Sequence, residues 1–202
     1  MPEMFLRRLS RWQAEQQREA VADLYVEAGR GTVGTAGVAG ATGSGVANIG
    51  VASGSGTGES RYGLRQDFLR RFEHDVQQTD FDMVVADSGG LVGCLYGYRA
   101  ERGGEWWESL RSVLSPDVEE RTASGRVFLL RELMVVPAER GSGVAARLRT
   151  LLLTRHTSEV VVAVIDPDDV QGRKVLQSWD WTQLGGFTPR QEGWLRPPSP
   201  LP

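Results

Sequence analysis

The hydrophobic positions of the chain follow two spacings, one typical of helices and the other typical of strands. Helical spacing runs through 13–29, where it stops at a glycine, and through 65–78 and 143–154. These segments predict three amphipathic helices, each with one apolar face to bury. The apolar positions that carry this spacing are Ala20, Val21, Leu24, Tyr25, Ala28, Phe68, Leu69, Phe72, Val144, Leu148, Leu151 and Leu152.

Strands are predicted where short apolar runs replace that spacing. The segments 83–86 and 91–98 flank a pair of glycines and predict an antiparallel hairpin with a tight turn. A longer strand covers 127–136 and ends before a proline, and 160–165 is rich in β-branched residues. From 127 onward the order is strand, helix, strand, helix, strand, which predicts an α/β domain whose sheet is covered on both faces.

The segment 31–58 differs in composition from the rest of the chain. It contains ten glycines and no charged residue, so it buries too little apolar surface to offset the entropy of ordering its backbone. We therefore predict a flexible insertion between the first two helices. The chain then divides into an N-terminal helix within 1–30, this insertion, a main domain at 59–188, and a short final strand with a proline-rich tail at 189–202.

Length and charge limit the class of partner. With 202 residues, 40% of them hydrophobic, the chain can bury the core of one ordinary domain. The formal net charge of −3 provides no basic surface for a phosphate backbone, so we expect no nucleic-acid partner. Cys94 lies in an apolar run and is expected to be buried. The longest apolar run, 160–165, is far shorter than the ~20 residues of a membrane span, so we expect a cytoplasmic protein without a membrane partner.

The junction between the strand at 127–136 and the next helix carries the clearest chemical signal. There the chain turns into the helix through Arg140-Gly141-Ser142-Gly143-Val144-Ala145. Backbone N–H groups at a helix N-terminus have no intrahelical acceptor, and the helix dipole adds about half a positive charge, so a phosphate is stabilised there. The two glycines let the backbone approach an anion, and Ser142 offers one more hydrogen bond. The same turn also occurs in α/β packing without any ligand.

This junction resembles the acetyl-CoA motif of the GNAT N-acetyltransferases. The family motif is Arg or Gln, two residues, Gly, one residue, then Gly or Ala, and it is matched here by Arg140, Gly143 and Ala145. The preceding strand, with Val135 and Pro137, also fits the family's fourth strand. The Rossmann fingerprint does not fit, because it needs three glycines after a first strand and an acidic residue further on.

The resemblance covers about 59–188 and implies a fold, an activity and a site. The fold is of the α/β (α+β) type, with a mixed, mostly antiparallel central sheet and helices on both faces, and 1–30 supplies the N-terminal helix of the catalytic domain. The co-substrate is acetyl-CoA, whose pantetheine arm pairs with the fourth strand while the glycine turn holds the pyrophosphate. We assign no metal ligands. The implied cofactor contacts are Leu133, Met134, Val135, Arg140, Gly141, Ser142, Gly143, Val144, Ala145 and Ala146.

The resemblance weakens toward the C-terminus. Family members often have a tyrosine that protonates the leaving CoA thiolate, and the aligned residue here is Leu176. This chain must use another donor or none. The final strand is short as well, because after Phe187 only 194–196 can pair before the prolines of the tail. A second copy of the chain would cover the sheet edge left in this way, so a homodimer is one expectation.

Glu132 is the candidate general base. Deprotonating a lysine-like amine of pKa about 10.4 at pH 7 costs roughly 4 to 5 kcal/mol, and a nearby base removes part of that barrier. Glu132 lies on the strand that leads into the glycine turn, between apolar neighbours that should raise its pKa by desolvation. The alternative is a structural ion pair with an arginine on a neighbouring element. Arg131 is expected to point to the opposite face of the strand.

Three aspartates after the strand at 160–165 have two interpretations. Asp166, Asp168 and Asp169 lie at the C-terminal end of a strand, where sites of α/β sheets gather, and would attract a cationic acceptor. They also have the positions of helix-capping carboxylates, and we favour that interpretation.

Aromatic residues and histidines are the remaining candidates. Trp106 and Trp107 would either wall an acceptor pocket or form a small secondary core cluster. His74 lies in a charged helix and His156 follows the helix of the glycine turn, and we assign neither to catalysis.

Two functions follow from the sequence. The first is an N-acetyltransferase that moves acetyl from acetyl-CoA to a primary amine of a small molecule or peptide by direct attack. The second is a non-catalytic acyl-CoA-binding or sensor module of the same fold, which the leucine at position 176 and the short final strand favour. Transfer to any amine would exclude the second.

Overall fold

The computed structural model describes residues 3–29, 61–123, 125–157, 159–188 and 191–196. The predicted glycine-rich insertion at 31–58 and the tail at 197–202 lie outside the described residues. The strands are β1 (Phe5–Leu9), β2 (Asp82–Asp87), β3 (Leu91–Arg99), β4 (Val127–Val135), β5 (Val160–Ile165), β6 (Thr182–Thr188) and β7 (Gln191–Leu195). The helices are α1 (Arg11–Gln16), α2 (Arg18–Ala28), α3 (Arg61–Asp75), α4 (Gly104–Arg111), α5 (Pro116–Thr122), α6 (Val144–Leu153) and α7 (Val170–Ser178).

The described strands form one sheet in the order β1-β2-β3-β4-β5-β7-β6. Every neighbouring pair is antiparallel except β4 and β5, which are parallel and joined by the crossover helix α6. The predicted mixed, mostly antiparallel sheet is therefore confirmed. The strands predicted for the hairpin and for the segments from 127 onward are all present.

Strand β1 was not predicted from the sequence, because the apolar run at 4–6 is too short to identify an element and two arginines follow it. Arg8 points inward from this strand and pairs with Asp82 at the start of β2. Its guanidinium also donates to the carbonyl of Leu151 near the end of α6. The charge is thus neutralised where it meets the sheet, and a strand with two central arginines can lie beside β2.

Helices cover both faces of the sheet, as predicted. Alternate residues of β2 divide between two core clusters, Met83 and Val85 in one and Val84 and Ala86 in the other, so the clusters lie on opposite faces. Side chains of α2 and α3, including Phe68, pack in the first cluster, while α6 and α7 fill the second. Burying each large apolar side chain contributes about 1.5 to 3 kcal/mol, so both layers hold the sheet in place.

The end of the chain differs from the expectation of a shortened strand at the sheet edge. Strand β7 lies inside the sheet, where Ala163 of β5 and Gln183 of β6 both pair with Trp194. The expected edge at the final strand is wrong because β6 and β7 form a hairpin that folds back, which leaves β6 outermost. The basis for a homodimer at that strand is thereby removed, and dimerisation itself stays a prediction.

The segment between β3 and β4 contains two short helices that the sequence did not predict, α4 and α5. Trp107 is buried in a third core cluster with Leu110, Val162 and Val164. The core interpretation is therefore correct for Trp107, and the side chain of Trp106 lies outside the described part of the chain. In the described residues no helix is long and apolar enough to cross a membrane.

Candidate active site

Strands β4 and β5 separate along their length. They pair with each other from Val127 and Val160 up to Leu130 and Ala163. Both strands continue beyond that point and are described throughout, but they no longer pair with each other. The second half of β4 still pairs with β3 on its other side. The backbone polar groups on the β5 side of 132–135 therefore face an opening between the strands, where an extended ligand could pair with them.

A β-bulge at Arg131 lies where the two strands begin to separate. Tyr96 pairs with Glu132 and Gly97 with Leu130, so Arg131 is an extra residue in β4. A Cβ atom on Gly97 would lie 2.3 Å from the carbonyl oxygen of Leu129, so the close approach of the strands at the bulge requires glycine there.

The bulge changes which side chains share a face. Leu130 and Leu133 belong to the same core cluster despite their odd separation. Arg131 Nε donates to Asp75 Oδ2 at 2.9 Å, and Glu132 Oε2 lies 3.8 Å from Arg71 Nη1, so the side chains of both residues reach α3. The expectation that Arg131 points away from Glu132 is wrong, because strict alternation fails at a bulge.

Glu132 is buried beneath α2 and α3, with 1% of its surface exposed. Neither carboxylate oxygen has a hydrogen-bond donor among the described residues. Loss of solvation raises the pKa of Glu132 to about 8, although the positive charges of Arg71 and Arg131 oppose the increase. The expected rise of this pKa is thus found. The arginine of the alternative interpretation is present as well, since Arg71 lies on the neighbouring α3, but its 3.8 Å contact with Glu132 is too long to be a hydrogen bond.

The turn before α6 exposes backbone donors. Gly141 and Gly143 have φ of +81° and +84°, a left-handed conformation that favours glycine. The first N–H of the helix with a backbone acceptor is that of Arg147, which donates to Gly143 O at 3.0 Å. Among the described residues, no backbone acceptor meets the N–H groups from Gly143 to Ala146. This end of α6 is therefore suited to an anion.

The side chains of the turn are engaged elsewhere. Ser142 Oγ donates to Glu139 O at 2.7 Å, so the extra hydrogen bond expected from this hydroxyl is already made within the turn. The Arg140 guanidinium donates to the carbonyl of Ala28 at the end of α2. Val144 is buried against Gly93 of β3, where a Cβ would lie 2.9 Å from Val144 Cγ1. At this turn, the groups available to an anion are therefore the backbone N–H groups, because the side chains of Arg140 and Ser142 already bond elsewhere.

Of the aspartates after β5, Asp169 caps the start of α7 and Asp166 stabilises the turn that precedes it. Asp169 Oδ1 accepts from Gly172 N at 2.8 Å at the start of α7, and Asp166 Oδ1 accepts from Asp168 N at 2.9 Å. The capping interpretation is therefore confirmed for Asp169. Leu176 of α7 is buried in the core cluster that α6 and α7 share.

The histidines have partners away from Glu132. His156 Nε2 lies 3.0 Å from Asp82 Oδ2, its Nδ1 lies 2.8 Å from Glu159 Oε2, and its ring stacks on Phe128. These contacts lie beyond the C-terminal end of α6, whereas the glycine turn precedes its N-terminal end. His74 contacts the side chain of Gln78. Leaving both histidines out of the site agrees with these positions.

The polar groups that surround Glu132 were not predicted from the sequence. Arg71 and Asp75 of α3 lie three residues after the buried Phe68 and Phe72, a spacing that places each on the buried side of the helix. This spacing could have indicated from the sequence that Arg71 and Asp75 face the sheet. Tyr96 Oη donates to Asp75 Oδ2 at 3.2 Å and completes the polar layer between α3 and the sheet.

Comparisons with known proteins concern the fold. No protein-family model and no curated protein matches the chain. The protein PH1933 of Pyrococcus horikoshii OT3 aligns with a TM-score of 0.62 at 12% identity, over 98% of this chain and 100% of that one. The PaiA N-acetyltransferase of Thermoplasma acidophilum, solved in complex with coenzyme A, aligns with a TM-score of 0.58 at 9% identity, over 96% and 98%. The protein yncA of Salmonella typhimurium, solved with its cofactor acetyl-CoA, aligns with a TM-score of 0.51 at 14% identity, over 95% and 91%.

These likenesses agree with the features described above. The sheet is mixed and mostly antiparallel, its parallel pair opens beside a bulge, and a glycine turn leads from that pair into a helix. The chain therefore has the fold of the GNAT N-acetyltransferases.

Proposed function

We propose that this protein is an N-acetyltransferase that moves acetyl from acetyl-CoA to a primary amine of a small molecule or peptide by direct attack. One arrangement carries the proposal. The open edge of β4 leads to the exposed N-terminus of α6, and the same strand bears the buried carboxylate of Glu132. The structural neighbours solved with coenzyme A or acetyl-CoA support the choice of co-substrate.

The residues of the opening fit the two polar parts of acetyl-CoA. The pyrophosphate would meet the backbone N–H groups of 143–146 at the positive end of the helix dipole. The pantetheine amides would pair with the backbone of Leu133, Met134 and Val135 on the side that β5 leaves free. Affinity would thus rest on backbone groups and on glycine at 141 and 143, more than on the side chains of Arg140 or Ser142.

Glu132 would take the proton of the acceptor amine. As nitrogen bonds to the acetyl carbon, the carbon–sulfur bond breaks, CoA leaves as the thiolate, and the proton lost by nitrogen passes to the carboxylate. Because burial raises the pKa of Glu132 to about 8, the charged form is abundant only at slightly alkaline pH. A base of this pKa is well matched to proton transfer near neutrality.

The leaving group needs little assistance from the chain. A thiol of pKa about 8.5 leaves as a thiolate near neutral pH, so a general acid is less necessary than for an alkoxide. Leu176 is buried among apolar side chains and offers no proton. We therefore propose that the thiolate takes its proton from solvent.

A non-catalytic acyl-CoA-binding module is the second candidate, and the leucine at position 176 is the observation that favours it. The test is release of CoA thiol from acetyl-CoA in the presence of a panel of primary amines, including amino acids, polyamines, aminoglycosides and short peptides. Acetyl-CoA binding with transfer to at least one amine would support the enzyme. Binding without transfer to any amine, at pH 7 and at pH 9, would support the module.

A further inference from the structure

The carboxylate of Glu132 is linked to α2 and α3 through two side chains. Arg71 of α3 places Nη1 3.8 Å from Glu132 Oε2 and donates from Nη2 to Tyr25 Oη of α2 at 3.1 Å. Tyr25 in turn stacks on Phe68, with ring centroids 4.6 Å apart. Burial and the nearby Glu132 charge raise the pKa of Tyr25, so its hydroxyl stays neutral and can accept from the guanidinium.

Other charged and titratable groups face Glu132 from the surrounding elements. Asp75 of α3 and Asp169 before α7 disfavour its charged form, whereas Arg131 of β4 favours it. The positive charge of Arg131 is largely balanced by Asp75, which accepts from its Nε at 2.9 Å. The remaining neighbours with raised pKa are the neutral side chains Tyr96 and Cys94 of β3.

The contact with Arg71 stabilises charge without occupying the carboxylate. At 3.8 Å the guanidinium makes no hydrogen bond to either oxygen of Glu132, and both oxygens stay free of protein donors in the described residues. A bidentate pair would occupy one lone pair on each oxygen and leave less of the carboxylate for a substrate proton. Arg71 is also half-exposed, whereas Glu132 is buried, so the pair lies between the interior and the surface.

We propose that Arg71 is a positioning residue for Glu132, and that its guanidinium, oriented by the Tyr25 hydroxyl, favours the charged carboxylate that takes the acceptor's proton. This inference rests on the proposed function, because it assigns a role to a residue that acts through the base. The chain of contacts from Glu132 through Arg71 to Tyr25 links β4 to the helices α3 and α2 that cover it. A merely structural role for Arg71 would change stability and leave the titration of Glu132 as it is.

The first test compares pH profiles of kcat/KM for the amine that the panel identifies. Arg71→Met removes the charge and keeps an unbranched stem, and Arg71→Lys keeps the charge. Because an opposite charge at this distance lowers a carboxyl pKa by about 1 to 3 units, the acidic limb should move up by about that amount in Arg71→Met and much less in Arg71→Lys. Tyr25→Phe should move it in the same direction by less. Arg70→Met, an exposed neighbour on α3, is the control and should leave the limb in place.

The second test does not depend on catalysis. Carbon-13 NMR of protein labelled at its glutamate carboxyls reports the titration of Glu132, whose signal is assigned by its loss in Glu132→Gln. The midpoint should rise in Arg71→Met and stay in Arg70→Met. The thermal shift with acetyl-CoA should be equal in both variants, which shows that the fold and the cofactor site are intact. If Arg71→Met does not fold, Tyr25→Phe and Arg71→Lys carry the comparison.

The outcomes separate the two proposals. The role of Arg71 is supported if, in Arg71→Met, both the acidic limb of the kcat/KM profile and the NMR titration midpoint of Glu132 move to higher pH. If neither moves while Glu132→Gln abolishes the limb, Arg71 is structural and the base assignment stands. A midpoint that rises while the limb stays would mean that another group gives the limb, which overturns both Glu132 as base and Arg71 as its positioning residue.

Discussion

Arg131 and Glu132 follow one another on β4, yet the side chains of both reach α3. Arg131 Nε donates to Asp75 Oδ2, and Glu132 Oε2 lies 3.8 Å from Arg71 Nη1. In a regular strand the two would point to opposite faces of the sheet. Because of the bulge, the side chains of Arg131 and Glu132 lie on the same face of the sheet, beside the point where β4 and β5 separate.

Acetyl-CoA should stabilise the fold through the N-terminus of α6. At a hundredfold excess over Kd the free energy of unfolding should rise by about 2.7 kcal/mol, measured as a thermal shift. Gly143→Glu should abolish the shift, because it introduces a side chain and a negative charge where the phosphates bind. It should also cost about 1 to 2 kcal/mol of stability, since φ at this position is +84°.

The matched control for that substitution is Gly89→Glu. Gly89 also has a left-handed φ, +77°, but it lies in the turn between β2 and β3 and has open space around it. This variant should lose a similar amount of stability and keep the full shift with acetyl-CoA. Loss of the shift in both variants would attribute the effect to stability and count against a phosphate site at the turn.

Glu132→Gln should impair transfer without impairing cofactor binding. The loss of the base should lower kcat/KM by roughly 10²- to 10⁴-fold and remove the acidic limb, which should lie near pH 8 in the original protein. Glu73→Gln on the exposed side of α3 is the control and should retain the activity and the limb. Full activity of Glu132→Gln would leave water or the free amine's own equilibrium as the source of the neutral nucleophile.

The same substitution should change stability in a pH-dependent way. Burial raises the pKa of Glu132 from 4.5 to about 8, so between these values the folded state binds more protons than the unfolded state. This group therefore lowers the free energy of unfolding as pH rises through that window. Glu132→Gln removes the cost of ionising this buried carboxyl. As pH rises from 4.5 to about 8, the stability of the variant relative to the original protein should therefore increase, by up to about 1.4 kcal/mol per pH unit. A variant that loses relative stability as pH rises would indicate a structural ion pair instead.

Gly97→Ala should disturb the bulge. An added Cβ would lie 2.3 Å from the Leu129 carbonyl oxygen, so one strand must move, at a cost of roughly 1 to 3 kcal/mol. Because the register of Glu132 depends on the bulge, kcat/KM should fall as well. Gly90→Ala in the β2–β3 turn, where a Cβ has open space, should change neither quantity measurably.

The sequence was sufficient for the elements with a clear pattern. Buried strands such as β5 and the helix α6 have apolar spacings that can be recognised locally in the sequence. The glycines at 141 and 143, in the turn between β4 and α6, supply the left-handed φ that this turn needs. The anion-binding character of the α6 N-terminus follows as well, since it depends only on a helix beginning at that turn. The fold class and the place of the proposed cofactor site were therefore predictable.

Three features were decided by tertiary structure. Strand β1 depends on a charge that Asp82 neutralises across the sheet, and the position of β7 inside the sheet depends on the β6–β7 hairpin folding back. The neighbours of Glu132 depend on the bulge at Arg131, which shifts the alternation of the strand by one residue. Each feature needs a contact between segments distant in sequence, which for β7 is its pairing with β5. Local spacing cannot encode such a contact because it records only which residues are apolar.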